Sequence, residues 1–375
     1  MRVLIEALGI HYTGGGRSAT LNLLTSLFAL DQETDYLVLL SQPEPSLQTS
    51  AGNVRQIIAP TRNRFALRLW AQSVVPILAR QRDLVHFVKN LTVLGVPARK
   101  IVTLYDMTTL LYPDLFPRFD VWFWRLVQPK MLRQVDRIIA ISMTTAQDLQ
   151  RLYHIPSEMI TIIYPACASH FRPASAREIR RVWEKYALPP HVVLHVGRID
   201  RKKNLTTLVR AFARFQQQND FDGHLVLVGE EYRKSRDPAL METINALRLS
   251  DRVRFTGPVS DEDLPALYSG ATIAAFPSLH EGFGIVAVEA MACGVPLVVS
   301  DAGALREVVG DAALVIPSPR DDEALAEAMT CLWRDAELRQ ELRRRGLQLV
   351  QRFRPETVAK QTMALYQEVV GTFSS

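Results

Sequence analysis

The stretch Pro277-Ser-Leu-His-Glu-Gly-Phe-Gly-Ile-Val-Ala-Val-Glu-Ala-Met-Ala-Cys-Gly-Val-Pro296 decides how this chain of 375 residues is read. Just before it, Ile273–Phe276 is a short β-rich apolar run, and Pro296–Val299 at its end is another. Between them, Gly282 and Gly284 lead into a helical pattern. Strand, turn, helix and strand in that order build a parallel sheet, whose neighbouring strands need a crossover connection.

The same alternation runs outward in both directions. Val3–Leu8, Tyr36–Leu40, Leu84–Val88, Ile101–Leu104 and Arg137–Ile141 read as strands in the first half, and Val192–Val196, Leu225–Val228 and Val253–Phe255 in the second. These runs lack strict apolar–polar alternation, the pattern of parallel strands buried on both faces, so the class is α/β and doubly wound. At roughly 100–200 residues per domain, the length implies two domains.

The pattern is weakest between Pro165 and Pro190, which places the junction there: residues 1–170 form one domain and 171–354 the other. The last segment carries Pro355 at a helix N1 position and apolar Val358, Met363, Leu365 and Tyr366, so residues 355–375 are expected to pack back on the first domain. Ligands of open α/β sheets bind beyond the carboxyl ends of the strands, which makes an interdomain cleft the expected site.

Composition narrows the class further. The chain is 48% hydrophobic and 22% charged, with only Cys167, Cys293 and Cys331 and no C-x-x-C pair, so neither a disulfide framework nor a zinc module is encoded. An acid at Glu6 interrupts the N-terminus before a signal-peptide core can form. The longest charge-free run, Leu264 to His280, holds two prolines, a glycine and two serines, unlike the roughly 20 apolar residues of a spanning helix. The expectation is a cytoplasmic protein. Net charge is +5, and residues 1–170 hold 17 Lys/Arg against 12 Asp/Glu, so the whole excess lies in the first half. That favours an anionic partner there, a lipid surface or an acceptor; no finger, aromatic signature or Lys/Arg block points to nucleic acid.

Within the deciding stretch, the glycines let backbone amides approach a ligand at a helix N-terminus, where phosphate is favoured. Glu281 stands beside that turn, and Glu289, eight residues on, leans back toward it. A carboxylate pair suits vicinal hydroxyls, so phosphates together with hydroxyl-bearing rings describe a nucleotide sugar. The competing reading makes Glu281 a helix cap and Glu289 a solvated carboxylate, but Glu289 lies in an apolar run where an unpaired carboxylate is costly. His195-Val-Gly-Arg-Ile-Asp-Arg-Lys-Lys-Asn204 also follows a strand; there Arg198 offers a forked contact and Lys203 a point charge to a diphosphate, with Arg201 and Lys202 read as solvent-facing. Thr13-Gly-Gly-Gly-Arg17 is a glycine turn after the first strand, without the pattern of a dinucleotide or P-loop motif.

These motifs, with Ser300, Gly303 and Glu307–Asp311 after them, resemble the E-x7-E signature of retaining glycosyltransferases of the GT-B fold, family 4. The resemblance implies two Rossmann-like domains, with Arg198, Lys203 and Glu281 catalytic. It implies donor contacts from Gly15, Gly16, Gly197, Asn204, Gly282, Phe283, Gly284, Ile285 and Glu289. It further implies a nucleotide-sugar substrate, no metal or other cofactor, and retention of anomeric configuration without an enzyme nucleophile.

Many relatives read His-Asp after the fourth strand; this chain reads Tyr105-Asp106. His86, Lys89 and Asn90 resemble the matching stretch of a subgroup; Lys89 and Asn90 are assigned to the acceptor side, and His86 either joins them or is a buried, satisfied core histidine, the reading its place in the strand favours. Two aromatic and basic segments, Arg62–Arg82, interrupted by Pro76, and Val121–Arg133, suit a lipid interface. The reading is therefore a hexosyltransferase, with mannose the first donor sugar. Its acceptor is a lipid-linked or polysaccharide precursor, and it works peripherally on an anionic membrane. The rival readings are a nucleotide-sugar epimerase or hydrolase, and a donor-binding protein without transfer activity.

Overall fold

The computed structural model describes residues 1–11, 15–90, 92–231 and 237–371. Thr13 and Gly14 of the glycine turn lie outside them. The chain forms two units, Met1–Ala166 with Phe353–Ser375, and Cys167–Arg352.

In the first unit, strands β1 (Arg2–Glu6), β2 (Asp35–Leu40), β3 (Val54–Ile58), β4 (Leu84–Phe87), β5 (Arg99–Leu104), β6 (Arg137–Ala140) and β7 (Ile160–Ile162) form a sheet in the order β3-β2-β1-β4-β5-β6-β7. All its pairings are parallel; Val3, for example, stands opposite Tyr36 on one side and Leu84 on the other. Val3, Leu4 and Ile5 are fully buried, as residues of a strand covered on both faces must be. The Pro355–Gly371 helix closes one face: Val358, Leu365, Tyr366 and Val369 share a core with Val3, Ile5, Phe28 and Tyr36. The chain end therefore completes the first unit, as its apolar residues suggested.

The second unit repeats the plan. Strands β8 (Val192–Val196), β9 (His224–Val228), β10 (Val253–Gly257), β11 (Ile273–Phe276), β12 (Leu297–Ser300) and β13 (Leu314–Ile316) form a parallel sheet in the order β10-β9-β8-β11-β12-β13. Both sheets reverse their winding once, between β1 and β4 and between β8 and β11, the positions where doubly wound folds take ligands.

Pro76 does not interrupt its helix, which runs unbroken over Arg64–Ala79 and starts with the Asn63 side chain accepting from the amides of Phe65 and Ala66. Proline removes one hydrogen bond close to the helix end, where few turns depend on it. No helix among the described residues is long and apolar enough to cross a membrane.

Candidate active site

The reversal of the second sheet brings two loops together. After β8 the chain passes Gly197, at φ +152°, with Gly229 packed so closely that a β-carbon there would stand 1.9 Å from the Gly197 carbonyl. Asp200 then starts one 3-10 turn, Arg201–Lys203, by accepting from the Lys203 amide at 3.2 Å. That turn aims two lysines at the loop after β11. Lys203 Nζ donates to Glu281 Oε1 at 2.6 Å, and Lys202 Nζ lies 3.8 Å from Glu281 Oε2. The backbone locks the same contact: the Leu279 amide donates to the Lys202 carbonyl at 2.8 Å.

Glu281 is buried. Burial alone would raise its pKa, but the charges of Lys203 and Lys202 prevail and hold it down at about 2, so it is ionised throughout the neutral range. Its backbone forms a parallel bridge to Gly303, where a β-carbon would stand 2.2 Å from the Glu281 carbonyl oxygen. Only glycine permits this approach, and φ at Gly303 is +64°. Glu281 is not the helix cap: Gly284, at φ +89°, takes that position for the Ile285–Cys293 helix. Gly284 has no side chain to cap that helix, and the positive end of the helix dipole lies at the turn Gly282–Gly284.

Glu289 is buried as well, and it has a partner, the Tyr268 hydroxyl, which donates to Oε2 at 3.2 Å. Burial pushes its carboxyl up to about 8, so near neutrality it is chiefly protonated and able to donate. The two glutamates of the motif thus occupy opposite protonation states. Arg198 lies partly exposed, its Nε 3.6 Å from Asp200. Phe283 is buried beside the turn. Asn204 is a brace: its Nδ2 donates to the carbonyls of Pro277 (3.0 Å) and Pro319, and its Oδ1 accepts from Thr207 at 2.8 Å. With both ends of the amide occupied, it fixes the two loops instead of facing a ligand.

The first sheet gathers a second group at its own reversal. Gly15 opens the Gly15–Leu30 helix, and Gly16 packs against Lys89 and Tyr105, each 3.7 Å from where a β-carbon would sit. Tyr105 shares a 2.6 Å hydrogen bond with Thr20, and its amide donates to Asn90 Oδ1 at 2.8 Å. Asn90 itself sits at φ +59°. Asp106 Oδ1 accepts from the Thr108 amide at 3.0 Å, a local turn. Lys89 Nζ donates to the Gly9 carbonyl at 2.8 Å. Beside these residues opens a cavity of about 430 Å³. Its polar lining is Glu6, Arg68, Gln72, Lys89, Asn90 and Thr92, and its apolar lining includes Leu67, Ala71, Val93, Phe123, Trp124 and Met131. Loss of water pushes the Glu6 carboxyl up to about 7, against a hydrogen bond from the Leu8 amide and the charge of Lys89.

His86 belongs to a different place. It is fully buried, with Nδ1 2.6 Å from the Tyr366 hydroxyl and Nε2 2.8 Å from Thr103 Oγ1. Both nitrogens are taken, so the core reading of His86 holds and its place on the acceptor side is corrected: it ties β4 to the Pro355–Gly371 helix. Lys202 is corrected in the other direction, from solvent-facing to a partner of Glu281. Nothing in a run of three cations distinguishes the inward members, which depend on the 3-10 turn. Glu6 and Tyr268 also escaped sequence reading, each being a polar residue in an apolar run with no motif around it.

Two family models divide the chain between them. The model described as glycosyl transferases group 1 matches residues 177–348, the unit that holds the Lys203–Glu281 pair, and that described as glycosyltransferase family 4 matches residues 13–168. The chain belongs to the group 1 glycosyltransferases. O-antigen chain mannosyltransferase B of Escherichia coli is 29% identical to this glycosyltransferase over 313 residues, 83% of this chain and 78% of that one. A D-inositol 3-phosphate glycosyltransferase of Salinispora tropica is 32% identical over 256 residues, 65% of this chain and 53% of that one. Among solved structures, sucrose-phosphate synthase from Thermosynechococcus elongatus matches with a TM-score of 0.80 at 22% identity, covering 99% of this chain and 100% of that one. That likeness shows the shared GT-B fold.

Proposed function

We propose that this glycosyltransferase moves a hexose, mannose first, from a nucleoside diphosphate sugar held by its second unit to a hydroxyl of a lipid-linked or polysaccharide acceptor held by its first. The observation that carries the donor side is the Lys203–Glu281 pair at the sheet reversal, with Lys202 behind it. An ionised carboxylate held between lysines accepts from sugar hydroxyls without losing its charge. Lys203 and Arg198 neutralise the diphosphate, and charge that grows on the departing nucleotide is stabilised by the same groups. The helix that starts at Ile285 adds its dipole, and neutral Glu289 donates to or accepts from a ribose hydroxyl. In this reading the cations do the work a metal would do, and the configuration is retained because a donor phosphate oxygen takes the acceptor's proton on the face the nucleotide leaves.

Among the named relatives, the O-antigen chain mannosyltransferase supports mannose and a glycan acceptor, whereas the D-inositol 3-phosphate glycosyltransferase is named for a different acceptor. On the acceptor side, the cavity joins an apolar lining to a polar one that includes Glu6 and Lys89, which suits an amphipathic molecule. Leu94 of its lining is exposed, as are Phe65, Leu69 and Trp122 close to lining residues in the chain, and residues 62–133 hold 12 Lys/Arg against 4 Asp/Glu. Exposed apolar groups within a basic region suit an anionic lipid surface.

The test begins with thermal shift against UDP, GDP and dTDP and their sugar conjugates, since a ligand bound to the native state raises its stability. A shift selective for one base, lost in Arg198→Ala, supports the donor site; a folded protein that binds none of them overturns it. Transfer of labelled mannose to a lipid-linked acceptor, with the product's anomeric configuration read by NMR, then tests sugar, acceptor and retention. Sedimentation with phosphatidylglycerol vesicles against neutral ones tests the membrane surface.

A further inference from the structure

The donor-side loops leave one polar atom unexplained. His195, the fourth residue of β8, is fully buried at the sheet reversal, its ring against Phe276 with centroids 5.6 Å apart. Its Nδ1 lies 2.9 Å from the Ala275 carbonyl oxygen on β11. A carbonyl only accepts, so Nδ1 carries the proton, and in the neutral ring Nε2 is then a bare acceptor. Burial, with the nearby charge of Lys203 adding to it, pushes the imidazole down to about 4, so the neutral form is the one present. Nε2 is buried and has no hydrogen-bond partner among the described residues. Such atoms are rare in native structures, and each asks for a donor.

The surroundings of Gly197 bring a donor near Nε2. A β-carbon on Gly197 would stand 3.4 Å from His195 Nε2, 3.4 Å from Lys203 Cε and 3.8 Å from Lys203 Nζ. By these distances the imidazole nitrogen and the lysine ammonium flank one glycine and lie no more than about 7 Å apart. Lys203 has three N–H groups on a flexible stem, and Glu281 takes one.

We propose that His195 is a positioning residue whose Nε2 accepts a second N–H of Lys203 when a nucleoside diphosphate is bound, leaving the third aimed at the phosphates. A neutral acceptor suits this place: it orients the ammonium without cancelling the charge the diphosphate needs, which another carboxylate would do, and an imidazolium would repel it. The inference rests on the clamp role proposed above for Lys203.

The experiment is a double-mutant cycle on the affinity for UDP or GDP, whichever binds more tightly, measured by calorimetry with the parent nucleoside as control. Lys203→Met should weaken diphosphate binding about tenfold or more. If it does not, or if neither diphosphate binds the wild type, the clamp reading falls and this inference with it. With the clamp standing, His195→Phe keeps the ring's bulk and removes the acceptor; diphosphate affinity should fall by about three- to tenfold while nucleoside affinity holds. His195→Gln, which restores an acceptor, should recover most of the loss, and His195→Phe should cost nothing further in Lys203→Met. Unchanged diphosphate affinity, equal loss of nucleoside, or additive losses would assign His195 to packing alone. Should His195→Phe fail to fold, the ¹⁵N signal of Nε2 in the wild type decides. It should move on adding the diphosphate and stay put with the nucleoside, and no movement at saturation overturns the proposal.

Discussion

The two sheets of this glycosyltransferase wind in the same order and reverse once each, yet the acids at their reversals behave oppositely. In the second unit, Glu281 meets the Lys203 ammonium at 2.6 Å and stays ionised down to about pH 2. In the first, Glu6 sits near a lysine whose Nζ donates to the Gly9 carbonyl, and loss of water lifts its carboxyl to about 7. Fold position is shared; what differs is that the lysine charges prevail over burial at Glu281, whereas burial prevails over the lysine charge at Glu6. One reversal presents fixed charge, the other an acid that is half protonated near neutrality beside an apolar cavity. A diphosphate sugar suits the first kind of site and an amphipathic hydroxyl compound the second.

The strongest way to break this contrast is to neutralise each acid. Glu281→Gln should cut the transfer rate about 100-fold or more, since a preorganised charge is lost where charge develops, whereas Glu6→Gln should cost about tenfold, mostly in acceptor KM. Initial rates at varied donor and acceptor check both. Comparable losses in kcat for the two variants would remove the distinction drawn here.

The glycines sharpen it structurally. Gly303→Ala places a methyl 2.2 Å from the Glu281 carbonyl at φ +64°, and should destabilise by about 3 kcal/mol or more. Gly16→Ala meets Lys89 and Tyr105 only at ordinary contact distance, 3.7 Å, and should stay within about 0.5 kcal/mol. Urea titrations of both variants settle the comparison.

Protonation gives a third test, with opposite signs. Glu289 keeps its proton in the folded state up to about pH 8, while the unfolded chain releases it near 4.5. Its contribution to stability therefore falls as pH rises between those values and levels off above them. Glu281 works the other way: folded near 2 and unfolded near 4.5, it contributes fully above 4.5 and loses that contribution as pH falls toward 2. Glu289→Gln should match wild type at pH 5 and exceed it at pH 8 by about 1–3 kcal/mol, read from urea midpoints. A modest effect is expected at Tyr105→Phe, which loses the 2.6 Å bond to Thr20 and about 1 kcal/mol. In Tyr105→His, a higher transfer rate would mark the tyrosine as inhibitory, and a lost one would mark it as used.

The sequence shows the central strands well and the edges poorly, for a physical reason. Val192–Val196 and Ile273–Phe276 are buried along their whole length and read directly from their apolar runs. Val54–Ile58, Ile160–Ile162 and Leu314–Ile316 escaped notice: the first carries Arg55 and Gln56, and all three lie at sheet edges, where partial exposure weakens the apolar signal. The site divides similarly. Glu281 and Lys203 were legible because they belong to one motif each. Lys202 and Asn204 were misplaced, and His86 stood between two readings, because their roles depend on which way a turn or a distant helix directs them, and Tyr366 reaches His86 across 280 residues of chain.

That last contact has a consequence for the order in which the chain becomes a protein. Residues Cys167–Arg352 are contiguous, so the second unit has all its parts once they have left the ribosome. The first unit, although made earlier, waits for the final helix: until Tyr366 and its neighbours emerge, Val3, Ile5, Phe28 and Tyr36 lack part of their cover. The half synthesised first is the half finished last, and through that interval its apolar sheet face is the surface most in need of a chaperone.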